Sequence, residues 1–441
     1  MKVVLTRPNY QTHLITPPLG LGYLASYLKS KGIETEIIDG LNLNLTNQEI
    51  VRRCQEAEVV GISVLSYYFL PTIDLAKRLK KAGKIVVLGG PHATMLPELT
   101  LKETKADFVI KGEGEEIFYR LIKEIASGKV NRRQKIRQGS FIKNLSALPF
   151  PDWEQMDPRT YQKAPHGGVV KAFPVAPIMT TRGCPYECKF CASPKLWQRT
   201  IRFRQPKEVV KEIKYLIENF GVREIHLEDD NFTLKRAHVE AICQLILKAK
   251  IKVAWATPNG IRADKVDLPL LRLMKKAGCY FVAFGIESGN QEILNNVAKH
   301  SNLQVIKKAV KMAHQAGLIT QGFFIFGLPG ETKETIRETI NFAKGLPLDK
   351  AQFLMLDIIP GSALWDELKF AKKVNWHLDS YHEISWLPPT VDRATLAAAQ
   401  SRAFREFFFN PRRVLTMIKL IKPSQIKYVL RRARDFKIFN D

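Results

Sequence analysis

The chain has 441 residues, of which 45% are hydrophobic, and a formal net charge of +25 at pH 7. This length predicts two or three domains, each with a full core. No apolar run reaches about 18 residues, which excludes a transmembrane helix, and the start MKVVLTRPNY lacks the regions of a signal peptide. We therefore expect a cytoplasmic protein in a reducing compartment. Clustered cysteines there bind metal or do chemistry more often than they form disulfides.

The excess of cations favours anionic partners, such as RNA, a membrane surface or phosphorylated substrates. An equally open alternative is that many lysines simply form the solvated outer faces of helices. Stretches such as KRLKKAGK and RLMKKAGC fit that alternative.

Residues 1–127 alternate short β-rich runs with amphipathic helices. Strands are predicted at 2–6, 35–39, 59–63, 85–90 and 108–112, and helices at 19–31, 46–56 and 71–82. Such alternation predicts an α/β domain with a doubly wound parallel sheet, Rossmann-like or flavodoxin-like. Ligands of these sheets bind at the carboxyl ends of the strands.

Residues 128–175 are rich in proline and glycine and are predicted to form a linker. Alternation resumes over 176–360, where six strand–helix units predict a partial (β/α)6 barrel. Its chemistry would lie in the loops that follow the strands. Strands are predicted at 177–181, 223–228, 252–257, 280–286, 319–326 and 351–357. Residues 361–441 are predicted to form a helical, basic C-terminal region.

Three of the six cysteines, Cys184, Cys188 and Cys191, have a C-x3-C-x2-C spacing directly after the first predicted barrel strand. A structural zinc site needs four ligands, and no fourth cysteine or histidine has a zinc-like spacing. A [4Fe–4S] cluster is normally held by four cysteines, so three would leave one iron open. The other cysteines lie in apolar patterns and are predicted to be core residues: Cys54, Cys243 and Cys279.

The segment CPYECKFC resembles the CxxxCxxC signature of the radical S-adenosylmethionine (SAM) superfamily. Later segments are similar to the strand ends of that family's barrel: HLEDDNF (226–232), TPNGIRAD (257–264), FGIESGN (284–290) and FIFGLPGET (324–332). The acidic run Glu228, Asp229 and Asp230 stands where the family usually has Gly-Gly-Glu. The resemblance covers about 176–360.

This resemblance implies that Cys184, Cys188 and Cys191 hold a [4Fe–4S] cluster whose open iron chelates SAM. An electron from an external donor of the flavodoxin or ferredoxin type would cleave SAM to a 5'-deoxyadenosyl radical. That radical would abstract a substrate hydrogen, while the protein positions and tunes the cofactors.

The resemblance also implies contacts with SAM. Phe190 would flank the adenine, the acidic run would accept from the amino group, and Arg262 would pair with the carboxylate. Hydrogen bonds to the ribose would come from Glu287 and Ser288. The full predicted set is Phe190, Glu228, Asp229, Asp230, Asn259, Arg262, Glu287 and Ser288. The alternatives are a solvated turn for the acidic run, a surface cation for Arg262 and a helix cap for the last pair.

Three glycine-marked loops of the first domain are weak signals alone: TPPLGLGYLA (16–25), LGGPHATMLPE (88–98) and IKGEGEE (110–116). No G-x-G-x-x-G follows the first strand. In this order, together with LPFPDWE, they resemble the cobalamin (B12) domain of one radical SAM subfamily. The implied cobalamin contacts are Pro18, Leu19, Gly20, Ser63, Val64, Leu65, Gly89, Gly90, Pro91, His92, Gly112, Glu113 and Gly114.

The first domain differs from other cobalamin proteins in its predicted cobalt ligand. The D-x-H-x-x-G motif, whose histidine ligates cobalt in other cobalamin proteins, is absent. His13 and His92 lie in the candidate loops, but we interpret them as polar surface and expect no histidine on cobalt. A domain that keeps the shape and has lost the vitamin is an open alternative.

Aromatic, aliphatic and cationic residues mix in the C-terminal region. Val414, Leu415, Ile418 and Ile421 form a helical stripe after the break at Asn410–Pro411. We favour packing of this helix on the barrel with its basic residues outward. The alternative is contact with an anionic membrane surface or RNA, which would make the protein membrane-associated.

These features predict a cobalamin-dependent radical SAM enzyme that methylates carbon in a small-molecule or lipid-like substrate and has no nucleic-acid partner. A cyclase, oxidase or rearranging enzyme with the same cofactors is the runner-up. An RNA-modifying relative of the methylthiotransferases ranks lower, because 1–127 hold only Cys54 and the tail looks helical. A non-catalytic cobalamin-binding module would not need the intact cysteine motif.

Overall fold

The computed structural model describes residues 1–12, 14–164, 170–372, 374, 384, 386–421, 423, 425 and 426. The chain divides into two compact units. The first spans Met1–Pro165, and the second contains the described residues from 170 onward.

The first unit is built on a six-stranded parallel sheet. Its strands are β1 (Lys2–Arg7), β2 (Glu34–Asp39), β3 (Val59–Ser63), β4 (Ile85–Gly89), β5 (Phe108–Lys111) and β6 (Ile136–Gln138). Its helices are α1 (Leu19–Ser30), α2 (Asn47–Arg53), α3 (Phe69–Lys81), α4 (Pro91–Met95), α5 (Pro97–Thr104) and α6 (Glu115–Ala126). The strand order is β2-β1-β3-β4-β5-β6, so the predicted doubly wound α/β fold is confirmed in its flavodoxin-like form.

Sequence and local structure agree closely in this unit. Val3, Val4 and Leu5 on β1 are buried, as expected for a central strand covered by helices on both faces. Gly32 and Gly83 follow α1 and α3 with φ of 76°, the left-handed conformation in which glycine ends a helix without strain.

The segment that follows α6 was predicted to belong to a linker at 128–175, and most of it is built into the first unit. Strand β6 extends the first sheet by pairing with β5. Trp153 is 1% exposed, and the Gln155 side chain accepts a 2.7 Å hydrogen bond from the backbone N–H of Ile37. Backbone pairing and a buried aromatic side chain therefore make this segment, as far as 164, part of the first unit.

The second unit contains another six-stranded parallel sheet, of order β14-β13-β12-β11-β10-β7, and a two-stranded hairpin, β8 with β9. The strands are β7 (Val175–Ile178), β8 (Thr181–Arg182), β9 (Arg202–Phe203), β10 (Glu224–Leu227), β11 (Ala254–Ile261), β12 (Cys279–Glu287), β13 (Ile319–Phe326) and β14 (Lys350–Met355). Between described residues, β7 and β14 do not pair, so the barrel is partial, as predicted.

Helices separate the strands of this sheet: α7 (Ser193–Leu196), α8 (Pro206–Phe220), α9 (Arg236–Lys248), α10 (Leu268–Lys276), α11 (Gln291–Asn296), α12 (Leu303–Gln315) and α13 (Lys333–Gly345). Polar side chains cap several of them. Asp267 accepts from the Leu270 N–H before α10, and Thr332 and Thr335 form a capping box at α13. On α12, Ile306, Val310 and Ala313 form a buried stripe.

The C-terminal region contains α14 (Ala363–Glu367), α15 (Arg393–Phe408) and α16 (Pro411–Leu420), and no strand among its described residues. Helix α15 packs on the barrel, where the rings of Phe404 and Phe407 lie 5.4 and 6.1 Å from that of Phe353 on β14. Within the described ranges, no helix has the length and apolarity needed to cross a membrane. Cys54, Cys243 and Cys279 are buried core residues, as predicted.

Candidate functional site

The three clustered cysteines lie in the loop that joins β8 to β9, and all three are free and partly buried. The backbone holds this loop at several points. Cys191 N–H donates to the Cys188 carbonyl at 3.0 Å, and Lys189 N–H donates to the carbonyl of Val297 after α11 at 2.9 Å. Leu364 N–H on α14 donates to the Lys189 carbonyl at 3.0 Å. The loop is thus attached to two separate elements of the barrel unit.

Asp229 supports the start of this loop. Its carboxylate accepts from the backbone N–H groups of Thr180 and Thr181 at 2.6 and 3.0 Å, and the Thr180 hydroxyl also donates to it. Burial raises the pKa of Asp229 to about 6, although these hydrogen bonds act in the opposite direction. Both carboxylate oxygens of Asp229 are therefore occupied by the protein. In contrast to its predicted contact with the SAM amino group, Asp229 holds the connection between β7 and β8.

The cysteine side chains are suited to bind an iron–sulfur cluster. Burial raises the pKa of Cys191 to about 12 and also raises those of Cys184 and Cys188, so cluster binding would release protons. Two N–H groups point at the sulfurs: Asn231 Nδ2 lies 3.9 Å from Cys184 Sγ, and Ser193 N lies 3.4 Å from Cys191 Sγ. Such donors stabilise ligating thiolates.

Among the described residues, no three His, Cys, Asp or Glu side chains form a ligand group for a single metal ion. A [4Fe–4S] cluster does not require one, because each of its cysteines binds a different iron. The donor set present, three thiols without histidine, fits such a cluster and not a closed zinc site.

Two predicted SAM contacts meet at the ends of β10 and β11. The Asn259 side-chain N–H donates to Glu228 Oε2 at 2.9 Å. Asp230 is exposed and accepts hydrogen bonds from the Trp197 side chain and the Gly183 backbone, beside the cysteine loop. These three polar side chains could therefore face a ligand at the loop.

Arg262 is buried rather than a surface cation. Its guanidinium donates to Asp264 at 2.7 Å and to the carbonyls of Lys299 and His300 at 3.0 and 2.8 Å. It also lies 3.6 Å from the ring centroid of Tyr186 in the cysteine loop. Three of its five N–H donors thus serve the protein, so its predicted pairing with a carboxylate would use the others.

Glu287 ends β12 with a left-handed φ of 66° and accepts a 2.7 Å hydrogen bond from buried Lys299. Burial opposes the charge of Lys299, but the neighbouring Glu287 carboxylate outweighs it, and the pKa of Lys299 is raised. The Lys299 ammonium lies 5.8 Å from the ring centroid of Phe190. A Cβ on Gly285 would approach Glu287 Oε1 to 2.6 Å, so glycine there leaves room for the ion pair.

Ser288 is fully buried. Its hydroxyl lies 3.1 Å from that of Thr339 and accepts from the Asn290 N–H at 3.2 Å, while Asn290 itself caps α11. Its observed contacts are therefore those of a turn before a helix, in contrast to the predicted contact with ribose.

Several polar side chains near the cysteine loop were not predicted from the sequence. In the motif HLEDDNF the acidic run was predicted to contact SAM, but Asn231, which lies beside Cys184, was not. The Asn231 amide oxygen and the hydroxyls of Thr233 and Thr257 are buried and have no hydrogen-bond partner in the protein. Such groups normally bind a ligand or water, and they fit a polar ligand at the ends of β10 and β11. Lys299 was also missed, because nothing in the local sequence links it to Glu287.

In the first unit, two predicted cobalamin loops lie against each other at the carboxyl edge of the sheet. Val64 N–H donates to the Gly89 carbonyl at 2.8 Å, and His92 N–H donates to the Val64 carbonyl at 3.1 Å. Gly90 has φ of 99°, and a Cβ there would come within 3.0 Å of the Val64 backbone. The structure thus brings Ser63–Leu65 and Gly89–His92 together.

The other two predicted loops follow β1 and β5. Pro18 precedes α1, and Gly20 has open space where a Cβ would point. Gly112 N–H donates to the Thr94 hydroxyl, and Gly114 precedes α6. Glu113 is buried and accepts a 2.6 Å hydrogen bond from the Ile142 N–H, so its side chain holds the following segment instead of facing the loops.

His92 is not the polar surface residue that we expected. It is 1% exposed, its ring centroid lies 4.0 Å from that of Phe69, and its Nδ1 lies 2.9 Å from the Ser66 hydroxyl. Burial lowers its pKa to about 4. A neutral ring held in the core fits a corrin site in which no histidine ligates cobalt. His13 lies outside the described residues.

Open space at Gly20 and Gly89 fits a planar ligand over the loops.

Comparisons with known proteins match both units. Residues 178–343 match the model of the radical SAM superfamily, and residues 10–122 match that of the B12 binding domain. An uncharacterized methyltransferase of Pyrococcus horikoshii is 32% identical over 389 residues, which cover 83% of each chain. The anaerobic magnesium-protoporphyrin IX monomethyl ester cyclase of Rubrivivax gelatinosus is 28% identical and covers 93% of this chain and 78% of its own.

A similar fold occurs in the radical SAM methyltransferase TsrM from Kitasatospora setae. Its TM-score is 0.71 at 19% identity, over 96% of this chain and 89% of that chain. At this identity the likeness concerns the fold alone.

The support of the cysteine loop by Asp229 can be tested by substitution. Asp229→Ala leaves two buried N–H donors without an acceptor, and each such loss costs about 1–3 kcal/mol. We expect the Thr180 and Thr181 amides to exchange hydrogen at least tenfold faster than in the wild type. Asp229→Asn keeps one carbonyl oxygen as an acceptor and should change the hydrogen-exchange rates of these two amides much less. Equal exchange in wild type and Asp229→Ala would contradict the assignment.

The buried imidazole of His92 predicts a dependence of stability on pH. Its folded-state pKa of about 4 lies below the ordinary value of 6.5, so the unfolded chain takes up the proton first as the pH falls. Stability is complete above pH 6.5 and falls by roughly 3 kcal/mol toward pH 4. His92→Gln should flatten this part of the curve measured by urea unfolding. His238, also buried with a pKa of about 4, is present in both proteins and cancels. Parallel curves for the two proteins would refute this prediction.

Proposed function

Because the chain belongs to the radical SAM superfamily and carries a B12-binding domain, we propose that it is a cobalamin-dependent C-methyltransferase. The observation that carries this proposal is the pairing of two features in one chain. A loop with three free cysteines opens a parallel barrel, and a flavodoxin-like sheet bears the glycine loops of a B12-binding domain. Similarity to an uncharacterized methyltransferase over 83% of both chains supports methyl transfer.

When bound, the cluster and SAM supply a radical that activates a C–H bond, and cobalamin carries the methyl group. The chain's own residues bind and orient these groups. Cys184, Cys188 and Cys191 would hold the cluster, and Phe190, Glu228, Asn259 and Asp230 would line the SAM site. The Glu287–Lys299 ion pair, with its buried 2.7 Å contact, would support the neighbouring Phe190 and Cys188.

We further propose that the substrate is a small or lipid-like molecule and that a flavodoxin-type or ferredoxin-type protein donates the electron. A cyclase with the same cofactors is the second candidate. It is favoured by the 28% identity to the magnesium-protoporphyrin ester cyclase over 93% of this chain.

The cluster ligands give the first test. Anaerobically reconstituted protein should hold about four irons and show brown absorbance. Replacing Cys184, Cys188 and Cys191 by Ala should remove that iron, because no other described cysteine lies in the loop. Cys54→Ala, which removes a buried thiol of the first unit, should retain it. Iron retained in the triple variant would refute these ligands.

The products of SAM distinguish the two candidate reactions. Methyl transfer through cobalamin uses SAM twice, so turnover should yield S-adenosylhomocysteine and 5'-deoxyadenosine in comparable amounts. A cyclase has no reason to make S-adenosylhomocysteine. Candidate substrates should be screened with reduced, cobalamin-loaded protein by mass spectrometry of both products. Cys191→Ala should abolish deoxyadenosine formation, and turnover that gives deoxyadenosine without S-adenosylhomocysteine would favour the cyclase.

A further inference from the structure

Helix α16 presents an apolar face that the structure leaves exposed. Among the described residues, ten large hydrophobic side chains are exposed, and five of them lie between 409 and 426: Phe409, Val414, Leu415, Ile418 and Ile426. Phe409 is 91% exposed, and Ile418 is 63% exposed. The stripe Val414, Leu415, Ile418 and Ile421 was expected to pack on the barrel. That expectation is wrong for the first three residues, which are exposed, whereas Ile421 is half-buried.

Arg413 explains why the stripe points away from the barrel. It is buried, and its guanidinium donates to the carbonyls of Leu348, Phe407, Lys344 and Leu346 at 2.8–3.2 Å. It also lies 3.8 Å from the ring centroid of Phe407. This arginine therefore occupies the barrel-facing side of α16 and ties the helix to α13 and α15. Among the side chains of α16 that the structure describes, Arg413 makes this polar contact, whereas Val414, Leu415 and Ile418 remain exposed.

The arrangement of side chains around α16 is that of an interfacial helix. At roughly 100° per residue, Val414, Ile418 and Leu415 cover an arc of roughly 100°, and Arg412 and Lys419 occupy the next roughly 60°. Both cations are exposed, and Arg412 Nη2 also lies 2.5 Å from His314 Nε2 on α12, so Lys419 is the cation that points only to solvent in the described contacts. A helix lying in a bilayer surface buries such an apolar face among the acyl chains, while flanking cations reach the anionic headgroups.

Charge distinguishes a membrane from other occupants. Residues 411–441 contain nine Lys and Arg against two Asp, and the whole chain carries +25. A second copy of this chain would bring an equally cationic surface to the same face. RNA would pair with the cations but would leave the aliphatic stripe in water. An anionic phospholipid surface satisfies both features.

We propose that α16 docks the protein on an anionic phospholipid bilayer, with Val414, Leu415 and Ile418 inserted and Lys419 at the headgroups. The docking positions the enzyme beside membrane-dissolved molecules and does not depend on which radical reaction it performs.

The test uses the full-length protein and vesicles of phosphatidylcholine, with and without phosphatidylglycerol. Cosedimentation with the anionic vesicles should be strong at low salt and weaker at high salt. Leu415→Ser with Ile418→Ser should reduce partitioning at least roughly tenfold, because two apolar side chains no longer insert. Lys419→Glu should weaken binding to anionic vesicles only.

A matched control is the double variant Leu43→Ser with Val305→Ser, which removes two exposed aliphatic side chains elsewhere. It should bind vesicles as the wild type does, and iron content and thermal melting should be unchanged in all variants. Absence of vesicle binding, or equal loss in both double variants, would overturn the proposal. Two further results would also overturn it, provided that the wild type does not bind vesicles. They are salt-dependent binding to RNA, or concentration-dependent dimerisation, that is lost in the Leu415→Ser/Ile418→Ser variant.

Discussion

The carboxylate of Asp229 determines where the cysteine loop begins, and the remaining parts of the candidate site are arranged around that loop. It joins the end of β10 to the backbone of Thr180 and Thr181 through hydrogen bonds of 2.6 and 3.0 Å. A buried carboxylate is costly unless its oxygens are satisfied, so this arrangement tolerates little displacement of either strand end. Cys184 follows three residues after Thr181, and its position is therefore coupled to the sheet rather than to a free loop.

Sequence patterns predicted the frame of this site well. The spacing of hydrophobic residues and the capping residues predict parallel strands and helices. The carboxyl ends of parallel strands necessarily share one edge of the sheet. For that reason the cysteine spacing after β7 and the glycine loops after β1, β4 and β5 can be placed at the sheet edges from the sequence alone. The predicted strand at 252–257 was less accurate, because β11 continues to Ile261 through an irregular pairing with β12 and carries Asn259 within the strand.

Side-chain partners were harder to predict, since they depend on contacts between distant segments. Lys299 is 12 residues from Glu287, in a polar run that reads as surface, yet it is buried against that carboxylate. His92 resembles a loop histidine in sequence and is a core residue packed against the ring of Phe69. Arg413 resembles a solvated cation and instead accounts for the orientation of α16. In each case a polar residue is buried because backbone carbonyls, a carboxylate or an aromatic ring compensate it, and no local pattern encodes that compensation.

The charges around the cysteine loop indicate what the loop is built to hold. Lys299 and Arg262 are the cations that favour the thiolate of Cys188, and Glu287 opposes it. Lys299 is already paired with Glu287, and Arg262 with Asp264, each at 2.7 Å. Neither cation therefore leaves a full positive charge to offset three sulfur anions, and burial raises the pKa values of all three thiols. The protein provides the positions of the sulfurs and two N–H donors, so a cluster held by these cysteines would supply the compensating positive charge. Cluster binding and release of the thiol protons would consequently be one coupled event.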